Sequence, residues 1–135
     1  MVERAFPRNP GSLDAMFTFA DVFLEARGID RAHAHDVHLV LEELFTNMVK
    51  YNHDGHHPVT IGLDVNATHV ILRVSDREVE PFDPTLAAPV DVNAPLAARR
   101  PGGLGIHLVR RLTDDLSYDY TDRTSTITAT IRIVS

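Results

Sequence analysis

Gly102-Gly103-Leu104-Gly105-Ile106-His107-Leu108-Val109-Arg110 sets glycines where an irregular stretch runs into an amphipathic helix. Glycine lets backbone N–H groups approach a ligand without side-chain obstruction. A helix N-terminus adds orphan donors and a partial positive charge of about half an elementary unit. Together they make a phosphate cradle. The stretch is not a Walker loop, because no Gly-Lys-Ser/Thr follows. It is a poor dinucleotide fingerprint, because no strand leads into it. Taken alone it also describes a tight turn at a helix start. Arg99 and Arg100 precede it, placed either to clamp phosphate oxygens or to stand in solvent.

On either side of this stretch the periodicity is plain. Residues of about 80–101, rich in Pro and Ala, are too long for an idle loop in a compact domain and read as a lid. Before them, Val59, Ile61, Leu63 and Val65 alternate with Thr60, Gly62, Asp64 and Asn66, and Val70, Leu72 and Val74 repeat the pattern. These two runs predict an antiparallel hairpin. After the glycines come a helix over about 104–113 and strands near 116–121 and 125–134, the last with Ile127, Ala129, Ile131 and Ile133 on one side.

The first third of the chain reads as helical. Ser12 or Asp14 caps a helix that runs to about Arg27, with Leu13, Phe17, Ala20, Phe23 and Leu24 at helical spacing. Gly28 is its stop. Asp30 caps a second helix to about Tyr51, whose buried stripe is Val37, Val40, Leu41, Leu44, Phe45 and Met48. Asn52-His53-Asp54-Gly55 ends it with turn chemistry. Residues 1–10, with two prolines, read as an extended lead-in. This order predicts an α/β (α+β) two-layer sandwich, a mostly antiparallel mixed sheet with helices on one face.

Bulk properties narrow the function classes. The chain has 135 residues, the size of one domain. Hydrophobic residues make up 44%, enough for an ordinary core. The net charge of −6 argues against non-specific binding to nucleic acid or to an anionic membrane. There is no cysteine, which removes disulfides, thiolate nucleophiles and cysteine zinc sites together. No apolar run approaches the roughly 18 residues of a membrane helix. The N-terminus lacks the apolar core of a signal peptide, so the cytoplasm is the expected compartment.

Few residue groups carry chemistry. Glu43 and Asn47 stand one helical turn apart and share a face, with Asp36 and Lys50 near the same angle. A carboxylate can take a proton from an attacking hydroxyl. An amide oxygen suits magnesium, and Lys50 suits a phosphate. Taken alone, these residues also describe a solvated helix face. Asp76 ends the inward series Val70, Leu72, Val74, so its carboxylate needs a donor. Either an adenine amine or nearby backbone meets that need. His53, His56 and His57 flank a Gly turn and either bind a metal adventitiously or form a solvated loop, the commoner outcome. His33, His35 and His38 do not share a helix face. His107 either packs under the lid or touches phosphate.

These pieces occur in a recognisable order. Glu42-Glu43-Leu44-Phe45-Thr46-Asn47 resembles the N box of the GHKL ATPases, which include gyrases, a heat-shock chaperone, histidine kinases and mismatch-repair proteins. Asp76 with Pro81-Phe82-Asp83-Pro84 resembles their first glycine box, and residues 102–110 resemble the second. The pattern, over roughly residues 37–134, looks most like the small bacterial anti-sigma-factor serine/threonine kinases. The resemblance implies the Bergerat ATP-binding fold, ATP and Mg2+ as ligands, Glu43 as general base and Asn47 as magnesium ligand. It implies that Asp76 reads adenine and that Gly103 and Gly105 let the backbone wrap the phosphates. Lys50, Phe82, Arg100, Gly102, Leu104, Ile106 and His107 complete the implied nucleotide site. The implied partners are an anti-anti-sigma protein of the STAS class, a sigma factor and a second copy of the chain. One departure stands out. The first box usually has glycine two positions after the aspartate. Here that position is Glu78, a side chain that does not easily take positive φ.

Overall fold

Alternating side chains build the sheet and aim its apolar face at the helices. The computed structural model describes residues 1–52, 55–81 and 103–134, with the backbone alone for 51 and 103–106. The strands are β1 (Val2–Phe6), β2 (Val59–Val65), β3 (His69–Arg77), β4 (Asp115–Thr121) and β5 (Thr124–Arg132). They pair in the order β1-β2-β3-β5-β4, and every described pairing is antiparallel. Along β3, Val70, Leu72, Val74 and Asp76 are buried, and Ser125, Ile127, Ala129 and Ile131 repeat this on β5. That period of two matches one packed face.

The helices are α1 (Ser12–Ala26), α2 (Ala34–Tyr51) and α3 (Gly103–Leu112), with a 3-10 turn at Arg31–His33. They cover one side of the sheet. The six predicted stripe residues of α2, from Val37 to Met48, all lie in the core with Ile61, Leu63, Leu72 and Ile127. Each such side chain stabilises the fold by about 1.5–3 kcal/mol relative to exposure. α1 ends as predicted. Gly28 takes φ 69, its N–H donates to the Glu25 carbonyl, and the Ile29 N–H donates to the Leu24 carbonyl. This is a Schellman closure, which satisfies the last carbonyls of the helix. Among the described residues no helix is long and apolar enough to cross a membrane.

Four expectations need correction. Residues 2–6 are not a lead-in but an edge strand, paired with β2 from Val2↔Leu63 to Phe6↔Val59. The burial of Phe6 anchors that strand. The residue before α1 is Gly11, without a side-chain cap, and the Ser12 hydroxyl instead donates to the Pro7 carbonyl at 2.7 Å. Asp30 caps the 3-10 turn rather than α2, accepting from the Ala32 N–H at 2.9 Å. On α1 the buried position is Met16, while Phe17 is half-buried and stacks on His38.

Candidate functional site

The polar edge of α2 lies beside its buried stripe. Glu43 is half-buried, and loss of solvent raises its carboxyl above the usual carboxylate range. The adjacent Glu42 charge pushes in the same direction, and Lys50 pushes back. One turn on, Asn47 is only 3% exposed, and among the described residues its Nδ2 has no hydrogen-bond partner. A buried amide left unpaired costs about 1–3 kcal/mol, so a polar group seated against it would recover a bond. Lys50 is exposed and Asp36 half-buried.

α3 packs against α2. It begins at Gly103, so Gly103, Leu104, Gly105 and Ile106 form its first turn, where N–H groups lack intrahelical acceptors. His107 follows half-buried, and Val109 is fully buried. Phe82, Arg99, Arg100 and Gly102 lie outside the described residues, as does the predicted lid from residue 82 onward.

Asp76 is where β3 turned inward predicts it, with 0% exposure. Among the described residues its donors are two side chains distant in sequence. Arg8 Nη1 donates to Oδ1 at 2.6 Å, and Asn52 Nδ2 donates to Oδ2 at 2.9 Å. The same guanidinium donates to the carbonyls of His57 at 3.3 Å, Met48 at 3.4 Å and Asn52 at 3.2 Å. A Cβ at Gly55 would overlap that guanidinium, so glycine there is what lets the loop approach. Two of the carbonyls belong to the C-terminal end of α2, where the helix dipole favours a cation. Arg8 and Asn52 were not legible as site residues. Arg8 fell in the presumed lead-in, and Asn52 read only as turn chemistry.

Beyond Asp76 the chain does what Glu78 seemed to forbid. Glu78 takes φ 57, the left-handed conformation that glycine would supply. Its carboxylate is exposed, turns to His57 Nε2 at 2.6 Å, and is held below the usual range by that hydrogen bond. Glu80, also exposed, pairs with Arg123 at 3.1 Å. Val79 is fully buried; its N–H donates to the Arg123 carbonyl, and its carbonyl accepts from the Tyr120 hydroxyl at 2.6 Å.

A family model described as the histidine kinase-like ATPase domain matches residues 6–131. The chain belongs to that family. Membership places it among the GHKL ATPases, whose five-stranded sheet and one-sided helices it shares. Two solved structures have similar folds. One comprises the RsbU and RsbW domains of a Mycobacterium tuberculosis protein, with TM-score 0.66 and 13% identity over 98% of this chain and 32% of that one. The other is the Acinetobacter baumannii histidine kinase AdeS, with TM-score 0.53 and 17% identity over 100% of this chain and 69% of that one. The chain thus spans about a third of the Mycobacterium structure's length. No curated protein matches the sequence.

As a histidine kinase-like ATPase domain, the chain divides its candidate nucleotide site into two unlike halves. The half assigned to α2 and α3 offers an amide on Asn47 that is unpaired among the described residues, and the first-turn N–H groups of α3. Both are N–H donors and fit phosphate oxygens, while a cation would have to meet the Asn47 amide oxygen. The half around Asp76 is filled by the chain's own Arg8 and Asn52.

Proposed function

We propose that this GHKL domain is an ATP-dependent regulatory serine/threonine kinase of the anti-sigma-factor type. It would act in the cytoplasm, as a single domain, on a serine of a STAS-class anti-anti-sigma partner, with a sigma factor as second partner. The observation that carries the reading is the pairing on α2: a half-buried carboxylate with a raised pKa, one turn before a buried amide whose nitrogen lacks a partner among the described residues. A base for a serine hydroxyl needs a pKa moved toward the working pH, and burial moves Glu43 that way. Asn47 would hold the magnesium, Lys50 and His107 would lie toward the phosphates, and the first turn of α3 would donate N–H groups to them. ATP supplies the transferable phosphoryl group and Mg2+ neutralises its charge, which leaves the protein chiefly a positioning task.

Glu43→Gln tests the role of the base. Labelled phosphate from ATP should pass to a serine-bearing STAS protein with the parent chain. It should fall at least a hundredfold with Glu43→Gln while Mg-ATP binding persists. Equal transfer by both proteins would remove Glu43 from the mechanism. Acid-labile label on a partner histidine would move the chain to the histidine-kinase branch.

A second reading draws on Asp76. Arg8 and Asn52 already hold both carboxylate oxygens, which favours a partner-binding module with weak or absent turnover. Partner binding of equal strength with and without nucleotide would support it.

A further inference from the structure

Outside the nucleotide site, one side-chain cluster has the composition and spacing of a metal centre. The loop after α2 enters β2 through Gly55-His56-His57-Pro58, and the chain leaves β3 through Glu78. The β2–β3 register pairs Thr60 with Ser75. Carried three places outward, it sets His57 opposite Glu78, so the two meet as cross-strand neighbours. His57 Nε2 lies 2.6 Å from Glu78 Oε2, and His56 Nε2 lies 3.5 Å from the same oxygen. The two imidazoles stand 4.4 Å apart, centroid to centroid. One ligand atom from each residue falls within 4.8 Å of the others.

We propose that His56, His57 and Glu78 bind a borderline divalent transition-metal ion, best matched by Zn2+. Zinc binds imidazole nitrogen and carboxylate oxygen at about 2.0–2.2 Å, so a tetrahedral centre spaces its donors by about 3.3–3.5 Å. The two His–Glu separations of 2.6 and 3.5 Å lie close to that spacing and all three ligand atoms fall within 4.8 Å, so small rotations of the exposed His56 and Glu78 and the half-buried His57 close the difference. Three protein ligands leave the fourth position to water. The set is wrong for Mg2+, a hard ion that prefers oxygen throughout, so the centre discriminates against the cation expected at Asn47.

The backbone supports the assignment. Glu78 holds φ 57, where a side chain stands against a preference for glycine, and from there its carboxylate folds back over the histidine pair. His57 also ties the cluster to the interior, because its carbonyl accepts from Arg8 at 3.3 Å while Arg8 grips Asp76. A bound ion would therefore cross-link the loop after α2 to the end of β3, one hydrogen bond from the Arg8–Asp76 pair.

The test is calorimetric titration of ZnCl2 into the untagged, metal-stripped full chain, in millimolar Mg2+ and without nucleotide. The expected result is one Zn2+ per chain, bound at micromolar or tighter dissociation constant. Glu78→Gln and the His56→Ala/His57→Ala pair should each weaken binding at least tenfold, and His33→Ala/His35→Ala should leave it unchanged. Glu78→Gln keeps the shape and backbone of the site, so its effect is on ligation rather than folding. Thermal melting without metal verifies that each variant folds. Absence of saturation below 0.1 mM Zn2+, or affinity altered less than tenfold by Glu78→Gln, would overturn the assignment. With no nucleotide present, either result is independent of the kinase reading.

Discussion

Arg8 decides how Asp76 can be buried. An isolated carboxylate out of water is costly, and one partner bound at 2.6 Å with a second at 2.9 Å makes it tolerable. Removing one member of such a pair should cost about 3–5 kcal/mol. Arg8→Ala should show that loss in urea unfolding at unchanged slope. Arg8→Met combined with Asp76→Leu should recover only part of it, because no charge is stranded but Asn52 Nδ2 and three carbonyls lose a partner. Glu43 behaves in the opposite sense. Its folded-state pKa is raised, so the folded protein holds that proton more tightly than the unfolded chain. The stability attached to it is therefore fully present below the unfolded value and falls as pH rises through the folded one. Glu43→Gln should thus leave neutral-pH stability equal or higher while removing phosphoryl transfer, and a urea series from pH 4 to 8 reads the difference.

Among the elements, turns show where backbone conformation has been forced. Asp122 and Arg123 join β4 to β5 with φ 52 and φ 58, the two positive values of a type I′ hairpin turn. Arg123→Gly should stabilise the protein by about 1 kcal/mol by removing left-handed strain, net of the exposed Glu80 pair. Gly28→Ala should cost roughly 1–2 kcal/mol, and purely through the backbone, since a Cβ there meets nothing within 4 Å. Thermal melts of both variants test the pair. The same elements show what the sequence made legible. α2, β3 and β5 were readable because a period of 3.6 or 2 ran through enough residues to exclude chance. β1 was not, because Val2-Glu3-Arg4-Ala5-Phe6 is short, carries two charges and precedes Pro7. The inward aim of Asp76 followed from alternation along β3. Its partner did not, because Arg8 reaches it from 68 positions away and no local pattern marks such a contact. Glu78 was visible as a departure from glycine, but its φ of 57 was not, because side-chain identity gave the opposite expectation.

For the molecule as a whole, ligand and fold should be linked. A nucleotide that binds only the folded chain raises its stability by about 2.7 kcal/mol at a hundred times its dissociation constant. Melting with Mg-ADP should therefore raise the midpoint by several degrees if the base half opens to ligand. A midpoint unmoved at millimolar Mg-ADP would leave the Arg8–Asp76 pair as a permanent filling of that half and favour the partner-binding reading.

The long reach of Arg8 also bears on how the chain is made. A ribosome extends a protein by about 5–20 residues per second, so the 68 positions to Asp76 take roughly 3–14 s. For most of that interval β1 has no β2 to pair with, and Phe6 has no finished sheet to bury it. The newborn β1 segment must therefore wait with an apolar side chain and a bare strand edge in the open, a window in which a chaperone or a wrong neighbour can claim it first.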